Sequence, residues 1–365
     1  MALPLLTRRG DTLRYDRERG VVLVLDRREY PHETVFVECA DVEAVARAVE
    51  TMVVQGGPPL AYVAGYGLAL AARAWKDRPS DARRGAIIQA AERLRRTRPT
   101  ADDLHYIIAE GLARADAAIL EGQDAEAALV DFVTGEVSRG DKVAERCGRI
   151  AAGLLDNGDR ILTHCFAGAA LNWMLYVAHV EQGKQIQLYP TETRPYLQGA
   201  RLTAHQALEI GVPVTLLTDN MPGFCFARGM FSVYITAADR IALDGSIANK
   251  IGTYQYAVLA RRHGVPFYVL GYDGPDPSTP AGADIPIEER DPAEVLRFAG
   301  VRTAPEGAGA YYPAFDVTPP DLISAIITSR GVYRPERIAD YLRDGEAPLD
   351  VIPLTSVPRP ARDNE

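Results

Sequence analysis

From Gly158 onward the chain alternates short runs of β-branched and aromatic residues with helical patterns, and no other feature restricts its fold as strongly. The runs are "RILTHC" (160–165), "QIQLYPTE" (185–192), "PVTLLTD" (213–219), "FSVYITAAD" (231–239) and "PFYVLG" (266–271). Between them, "QGARLTAHQALEIG" (198–211) and "IANKIGTYQYAVLARRHG" (247–264) carry helical spacing and end on glycine, the usual residue just past a helix. Strands alternating with helices predict an α/β fold with a parallel sheet covered on both faces. In such sheets ligands sit beyond the carboxyl ends of the strands. The chemistry should therefore lie in the residues just past the end of each run.

The first half reads differently. Residues 11–37 form short β segments with a hairpin turn at Arg17-Glu18-Arg19-Gly20. From Asp41 the period becomes helical, with Val42, Val45, Ala46 and Val49 on one face behind an aspartate cap. Helical patterns continue through 60–75, 81–96, 100–120 and 125–155, the last with a break expected near Arg139-Gly140. At 365 residues the chain exceeds most single cores. The expected division is a mainly helical N-terminal domain with a β element (1–150) and a parallel-sheet domain (151–365), whose Pro-rich tail from Pro353 should fray.

Composition narrows the functional classes. The net charge is −9 and no basic stripe interrupts it, so nucleic acid is not an expected partner. No apolar run approaches the roughly 20 residues of a membrane helix, and the start lacks a signal-peptide pattern, so no membrane partner is expected. Four cysteines without a paired spacing fit a reducing cytoplasm and give no zinc or other metal pattern. "GAGAYY" (307–312) lacks the third glycine of a dinucleotide fingerprint, which disfavours a nicotinamide-dependent dehydrogenase.

The strand ends place His164-Cys165, Thr191 to Pro195, Thr218-Asp219-Asn220, Ala237 to Arg240 and Gly271-Tyr272-Asp273 on one rim. Free cysteine is most often a small buried apolar group, and on spacing alone that reading of Cys165 is the stronger. Its position at a strand end before a small-residue helix start argues the other way. Adjacent strand residues face opposite sides, so a His164–Cys165 dyad is not expected. Asp239 reads either as a rim carboxylate paired with an arginine or as a general acid raised by burial. Pro195 suits the first turn of a helix, whose amides favour an anion. Lys250 falls in the first turn of the next predicted helix, where a cation is mildly unfavourable unless an anion intervenes.

Taken in order, "THCFAGA", "TETRPYLQGARLTA", "TDNMPG" and "AADRIALDGSIANKIGTYQYAVLARRHGVPFYV" closely resemble the methylthioribose-1-phosphate isomerases. That family belongs to a wider group with the regulatory subunits of eukaryotic translation initiation factor 2B and the ribose-1,5-bisphosphate isomerases. The likeness runs from about Asp11 to Pro353. It implies a Rossmann-like C-terminal domain, a smaller N-terminal domain, a homodimer and a site in the interdomain cleft. The implied reaction converts a 5-substituted ribose 1-phosphate, a small-molecule sugar phosphate, to the ribulose 1-phosphate without a cofactor. By resemblance Cys165 matches the catalytic cysteine and Asp239 the proton-donating aspartate. Gln198, Asn249 and Lys250 match substrate-binding positions, and Arg98 matches a phosphate-binding arginine.

The chain departs from that pattern where the family usually reads Arg-Gly-Ala-Pro. Here Gln55, Gly56 and Gly57 stand at the substrate-binding loop, ahead of Pro58-Pro59. Loss of the arginine removes about 1.5–3 kcal/mol of charged hydrogen bonding to a phosphate. Phe166 and Trp173 also replace the smaller or polar residues expected there and are read as reshaping the pocket. The departures mark a divergent member. They also give weight to an alternative, a non-catalytic phosphosugar- or nucleotide-binding regulatory protein of the initiation factor type.

Overall fold

A computed structural model describes residues 3–98, 102–298 and 300–343; the tail from Pro353 lies outside the described residues. The chain divides into two compact units, Arg8–Lys142 and a second comprising Met1–Thr7 with Val143–Glu365.

The first unit opens with a one-turn helix α1 (Arg9–Thr12) and strands β1 (Leu13–Asp16), β2 (Val21–Leu25) and β3 (Phe36–Cys39). These make an antiparallel sheet in the order β1-β2-β3, with the expected turn between β1 and β2. Helices α2 (Val42–Glu50), α3 (Gly57–Ala74), α4 (Ser80–Arg95), α5 (Asp102–Leu120) and α6 (Ala125–Gly153) come next. Asp41 caps α2 by accepting from the Ala44 N–H at 2.7 Å. Helix α3 is apolar nearly all round and is buried along almost its whole length, as its sequence predicts.

Helix α6 corrects one expectation. It runs unbroken for 29 residues through Arg139-Gly140. Gly140 is there for packing: a Cβ at that position would stand 2.6 Å from the Tyr62 hydroxyl. A lone glycine weakens a helix by only about 1 kcal/mol, which tertiary burial offsets.

The second unit contains β4 (Arg160–Thr163), α7 (Gly168–Tyr176), β5 (Gln187–Pro190), α8 (Ala204–Ile210), α9 (Pro222–Ala227), β6 (Val233–Ala237), β7 (Arg240–Ile241) and β8 (Ile247–Lys250). It continues with α10 (Thr253–Arg262), β9 (Phe267–Tyr272), the short pair β10 (Arg297–Phe298) and β11 (Val301–Arg302), β12 (Phe315–Thr318), β13 (Ala325–Thr328) and β14 (Val332–Tyr333). The main sheet has the order β14-β13-β9-β6-β4-β5 and is parallel except for β14. A smaller antiparallel sheet, β12-β8-β7, stands apart from it.

Alternation along the main strands produces two cores. Ile161, Leu188, Ile235, Leu270 and Ile327 pack with α7, α8 and the last turns of α6. Leu162, Tyr234, Phe267, Val269 and Ile326 pack with α9 and α10. This is the layered α/β architecture that the alternating pattern predicts.

Three local expectations fail. "PVTLLTD" is not a strand: only Val214 and Leu217 make isolated parallel bridges, to Leu188 and Thr191. Pro195 is not in a first helical turn, because it follows a cis peptide bond and Leu197 adopts φ +57° before the helical turns begin at Gly199. Lys250 is not in a helix either. It ends β8, opposite Phe315 of β12, and Gly252 at φ +109° separates it from α10. The register with β12, over sixty residues away, decides that assignment.

Candidate active site

The segment after β4 does not continue the strand. Cys165 takes φ +61°, an uncommon conformation for a residue with a side chain, and neighbouring hydroxyls hold it there. Its N–H donates to Thr193 Oγ1 at 2.9 Å, and its carbonyl accepts from Thr203 Oγ1 at 2.6 Å. Thr193 is fixed in turn, its N–H and that of Arg194 donating to the two Asp219 carboxylate oxygens at 2.9 and 2.7 Å. Strand ends that looked separate in the sequence thus form one web.

His164 is locked away from the thiol. Its Nδ1 lies 2.6 Å from Thr191 Oγ1 and its Nε2 lies 2.9 Å from the Ile251 carbonyl. A carbonyl can only accept, so Nε2 carries the proton and Nδ1 accepts from the threonine. Burial holds the imidazole neutral, with its pKa pulled down to about 4. His164 therefore supports the loop, and the expected absence of a His–Cys dyad follows from these two partners.

Of the four cysteines, Cys165 alone is partly accessible. Burial pushes its thiol up to about 11, while Lys250 and Arg290 pull down and Asp239 pushes up. The resting group is a neutral thiol.

Asp239 sits between β6 and β7, its N–H donating to the Ala248 carbonyl at 2.9 Å. By area the residue is exposed, yet protein crowds it at longer range. That crowding raises its carboxyl, against the opposing pull of Lys250 and Arg290. No arginine forms an ion pair with it among the described residues; Arg240, its chain neighbour, pairs with Asp276 at 3.6 Å.

Lys250 is 4% exposed, and its Nζ lies 4.4 Å from the centre of the Phe315 ring. Among the described residues no carboxylate comes within ion-pair distance of it. Burial depresses its pKa first and Arg290 second, with Cys165, Asp239 and Glu288 opposing. A buried ammonium without a counter-ion is costly unless an anion completes it. Asn249 precedes it in β8, donating to Thr236 Oγ1 at 3.2 Å and Thr253 Oγ1 at 2.9 Å. Thr236 itself donates to the His164 carbonyl, so Asn249 is tied to the cysteine loop. Gln198 stands just before the helical turns at Gly199, with its Oε1 buried and unpartnered. The structure thus brings Cys165, Asp239, Asn249 and Lys250 together in the second unit, which also contains Gln198.

The remaining candidates lie together in the first unit, around Met52. Arg98 Nη2 is 2.6 Å from Met52 Sδ, and the Gln55 amide donates to the Met52 carbonyl at 3.2 Å. Gly56 has φ +92°, a conformation that favours glycine where α3 begins, while a Cβ on Gly57 would meet only the movable Asp103 carboxylate. Sequence reasoning missed Arg27. Its guanidinium is buried and donates to the Gln55 carbonyl at 2.7 Å, placing a cation on the loop where the family arginine is absent.

Trp173 corrects the pocket-reshaping expectation. It is 6% exposed and packs in the core on the α7 face of the sheet. Other residues that sequence reasoning missed are Arg290 and Tyr312, from the stretch between β9 and β12, and Phe315, which opens β12; none carries a motif of its own.

A profile of the Initiation factor 2 subunit family matches residues 53–335. A methylthioribose-1-phosphate isomerase from Chloroflexus aurantiacus is 43% identical over 330 residues, covering 88% of this chain and 95% of that protein. The one from Desulforudis audaxviator is 44% identical over 324 residues, covering 87% and 92%. The chain belongs to the methylthioribose-1-phosphate isomerase family. Membership makes it an isomerase. Among solved structures, the 5-methylthioribose 1-phosphate isomerase of Pyrococcus horikoshii OT3 superposes with a TM-score of 0.81 at 36% identity, covering 91% of this chain and 94% of that one. A translation initiation factor eIF-2B delta subunit from A. fulgidus gives 0.74 at 34% identity, covering 89% and 96%.

Proposed function

We propose that the chain is an aldose–ketose isomerase that converts a 5-substituted ribose 1-phosphate, methylthioribose 1-phosphate first among them, into the corresponding ribulose 1-phosphate. The observation that carries this reading is the gathering of Cys165, Asp239 and Lys250 around β8: the Asp239 N–H donates to the Ala248 carbonyl, and Asn249, beside Lys250, is tied through Thr236 to the loop of Cys165. Such a reaction asks for an acid, a group beside the migrating hydrogen and a cation for the phosphate.

A sugar phosphorylated on its anomeric oxygen cannot open to a free aldehyde. Asp239, whose carboxyl is raised by burial, donates its proton to the ring oxygen as the C1–ring oxygen bond breaks, leaving C1 electron-deficient. Hydrogen then moves from C2 to C1. The C2 hydroxyl gives its proton to the Asp239 carboxylate formed in the first step, and the O–H bonding pair becomes the C2 carbonyl, which restores the acid. The neutral state of the Cys165 thiol supports direct hydride transfer beside an uncharged sulfur over a route needing a resting thiolate. Lys250 holds the phosphate, which stays attached and anchors the reacting carbons. Gln198 and Asn249 bind sugar hydroxyls.

The test is ketose formation from methylthioribose 1-phosphate, 5-deoxyribose 1-phosphate and ribose 1,5-bisphosphate. Turnover of one of them should fall by at least about a thousandfold in Cys165→Ser and in Asp239→Asn. Saturable binding of all three without turnover would instead favour the regulatory reading, which the likeness to the initiation factor subunit keeps in view. A homodimer is part of the same proposal. Sedimentation should give twice the chain mass, and a monomer at all concentrations would remove it.

A further inference from the structure

Arg290 belongs to none of the family motifs, yet it shares the Phe315 ring with Lys250. Its Nε and Nη2 fork onto Glu288 at 3.0 and 3.3 Å, while Nη1 is enclosed and makes no hydrogen bond of good geometry. Its guanidinium carbon lies 5.7 Å from the centre of the Phe315 ring, the ring that also carries Lys250. The Tyr312 hydroxyl is enclosed beside it and interacts with the guanidinium, and the Tyr312 carbonyl accepts from the Arg290 N–H at 2.9 Å. Arg290 acts electrostatically on Cys165, Asp239 and Lys250 together.

A purely structural arginine would be expected to use its enclosed donors, since a buried unpaired N–H costs free energy. Here the carboxylate fixes two nitrogens and leaves the third available. Donors held ready in this way have their largest effect where charge develops during reaction. In the proposed isomerisation that place is the C2 oxygen. Its O–H bond breaks while the pair left behind becomes the C2 carbonyl, so the oxygen passes through alkoxide or enolate character on either hydrogen-transfer route.

We propose that Arg290 is a further catalytic residue, its Nη1 donating to the C2 oxygen of the sugar phosphate as that oxygen gains negative charge. The inference rests on the isomerase reading of the same site. Glu288 is the positioning residue that holds the guanidinium fork.

The experiment is steady-state kinetics of the full chain with methylthioribose 1-phosphate, comparing wild type with Arg290→Gln, Arg290→Lys and Arg290→Ala. Arg290→Gln should lower kcat by about a hundredfold with KM changed less than about threefold. Arg290→Lys, which keeps the charge and loses the fork, should retain more activity than Arg290→Gln. Added guanidinium should restore part of the activity of Arg290→Ala, a rescue that a role in folding alone would not show. Thermal melting of each variant checks that the fold is kept. Wild-type turnover with Arg290→Gln within about threefold of it, or a loss confined to KM, overturns the proposal. An inactive wild type removes the isomerase reading itself, a different and separately visible failure.

Discussion

His164 and Asp316 show how single side chains set opposite pH responses. His164 is buried neutral, its pKa falling from 6.5 to about 4. Folded protein binds that proton less readily than unfolded chain, so its contribution is full above 6.5 and is lost as pH falls toward 4. The displacement corresponds to roughly 3 kcal/mol. Asp316 is raised from 3.8 to about 6, chiefly by burial, although it accepts from the Gly252 and Tyr254 N–H groups at 2.7 and 3.1 Å. Its folded state holds the proton more tightly, so stability is greatest below 3.8 and falls as pH rises through 6. The two effects nearly cancel over this window. Asp316→Asn should therefore lose more stability than wild type between pH 6.5 and 4, by about 1–3 kcal/mol, in urea titrations at each pH. His164→Gln should lose less than wild type over the same range, and parallel slopes for all three proteins would contradict both assignments.

At the scale of elements, the turn after β5 depends on one glycine. A Cβ on Gly199 would run into the Thr191 carbonyl, which is backbone and cannot swing aside. Gly199→Ala should thus cost about 3 kcal/mol or more, and it should disturb Gln198 and the Thr193 support of Cys165. A Tm lowered by several degrees together with lost turnover is the expected result; a wild-type Tm would show that the turn adapts. The same scale explains why local patterns misled. Helix α6 passes through Gly140 because Tyr62 needs the space. Lys250 falls in a strand because β12 pairs with it, which no window around residue 250 could reveal.

Over the whole molecule, a net charge of −9 repels an anionic substrate at long range, while Lys250 and Arg290 attract it only close in. The Debye length falls from about 30 Å at 0.01 M to about 8 Å at 0.15 M ionic strength. Added salt should remove the distant repulsion and barely touch the enclosed cations. With a sugar phosphate substrate, kcat/KM should then stay level or rise over that range. A several-fold fall would mean that exposed cations steer the substrate instead.

The alternation of strands and helices in the second unit, the aspartate cap of α2, the buried character of α3 and the family motifs around Cys165, Asp239 and Lys250 were legible from residues alone. Each rests on spacing within a few turns or on long ordered strings, and both are properties of a linear chain. Tertiary structure decided the rest. It set the left-handed backbone at Cys165 through Thr193, the strand placement of Lys250 through β12, and the retreat of Trp173 into the core. It also brought Arg290 and Tyr312 to the site, and Arg27 to the Gln55 loop of the first unit. Those outcomes depend on partners distant in sequence, whose burial and hydrogen bonding outweigh local preference.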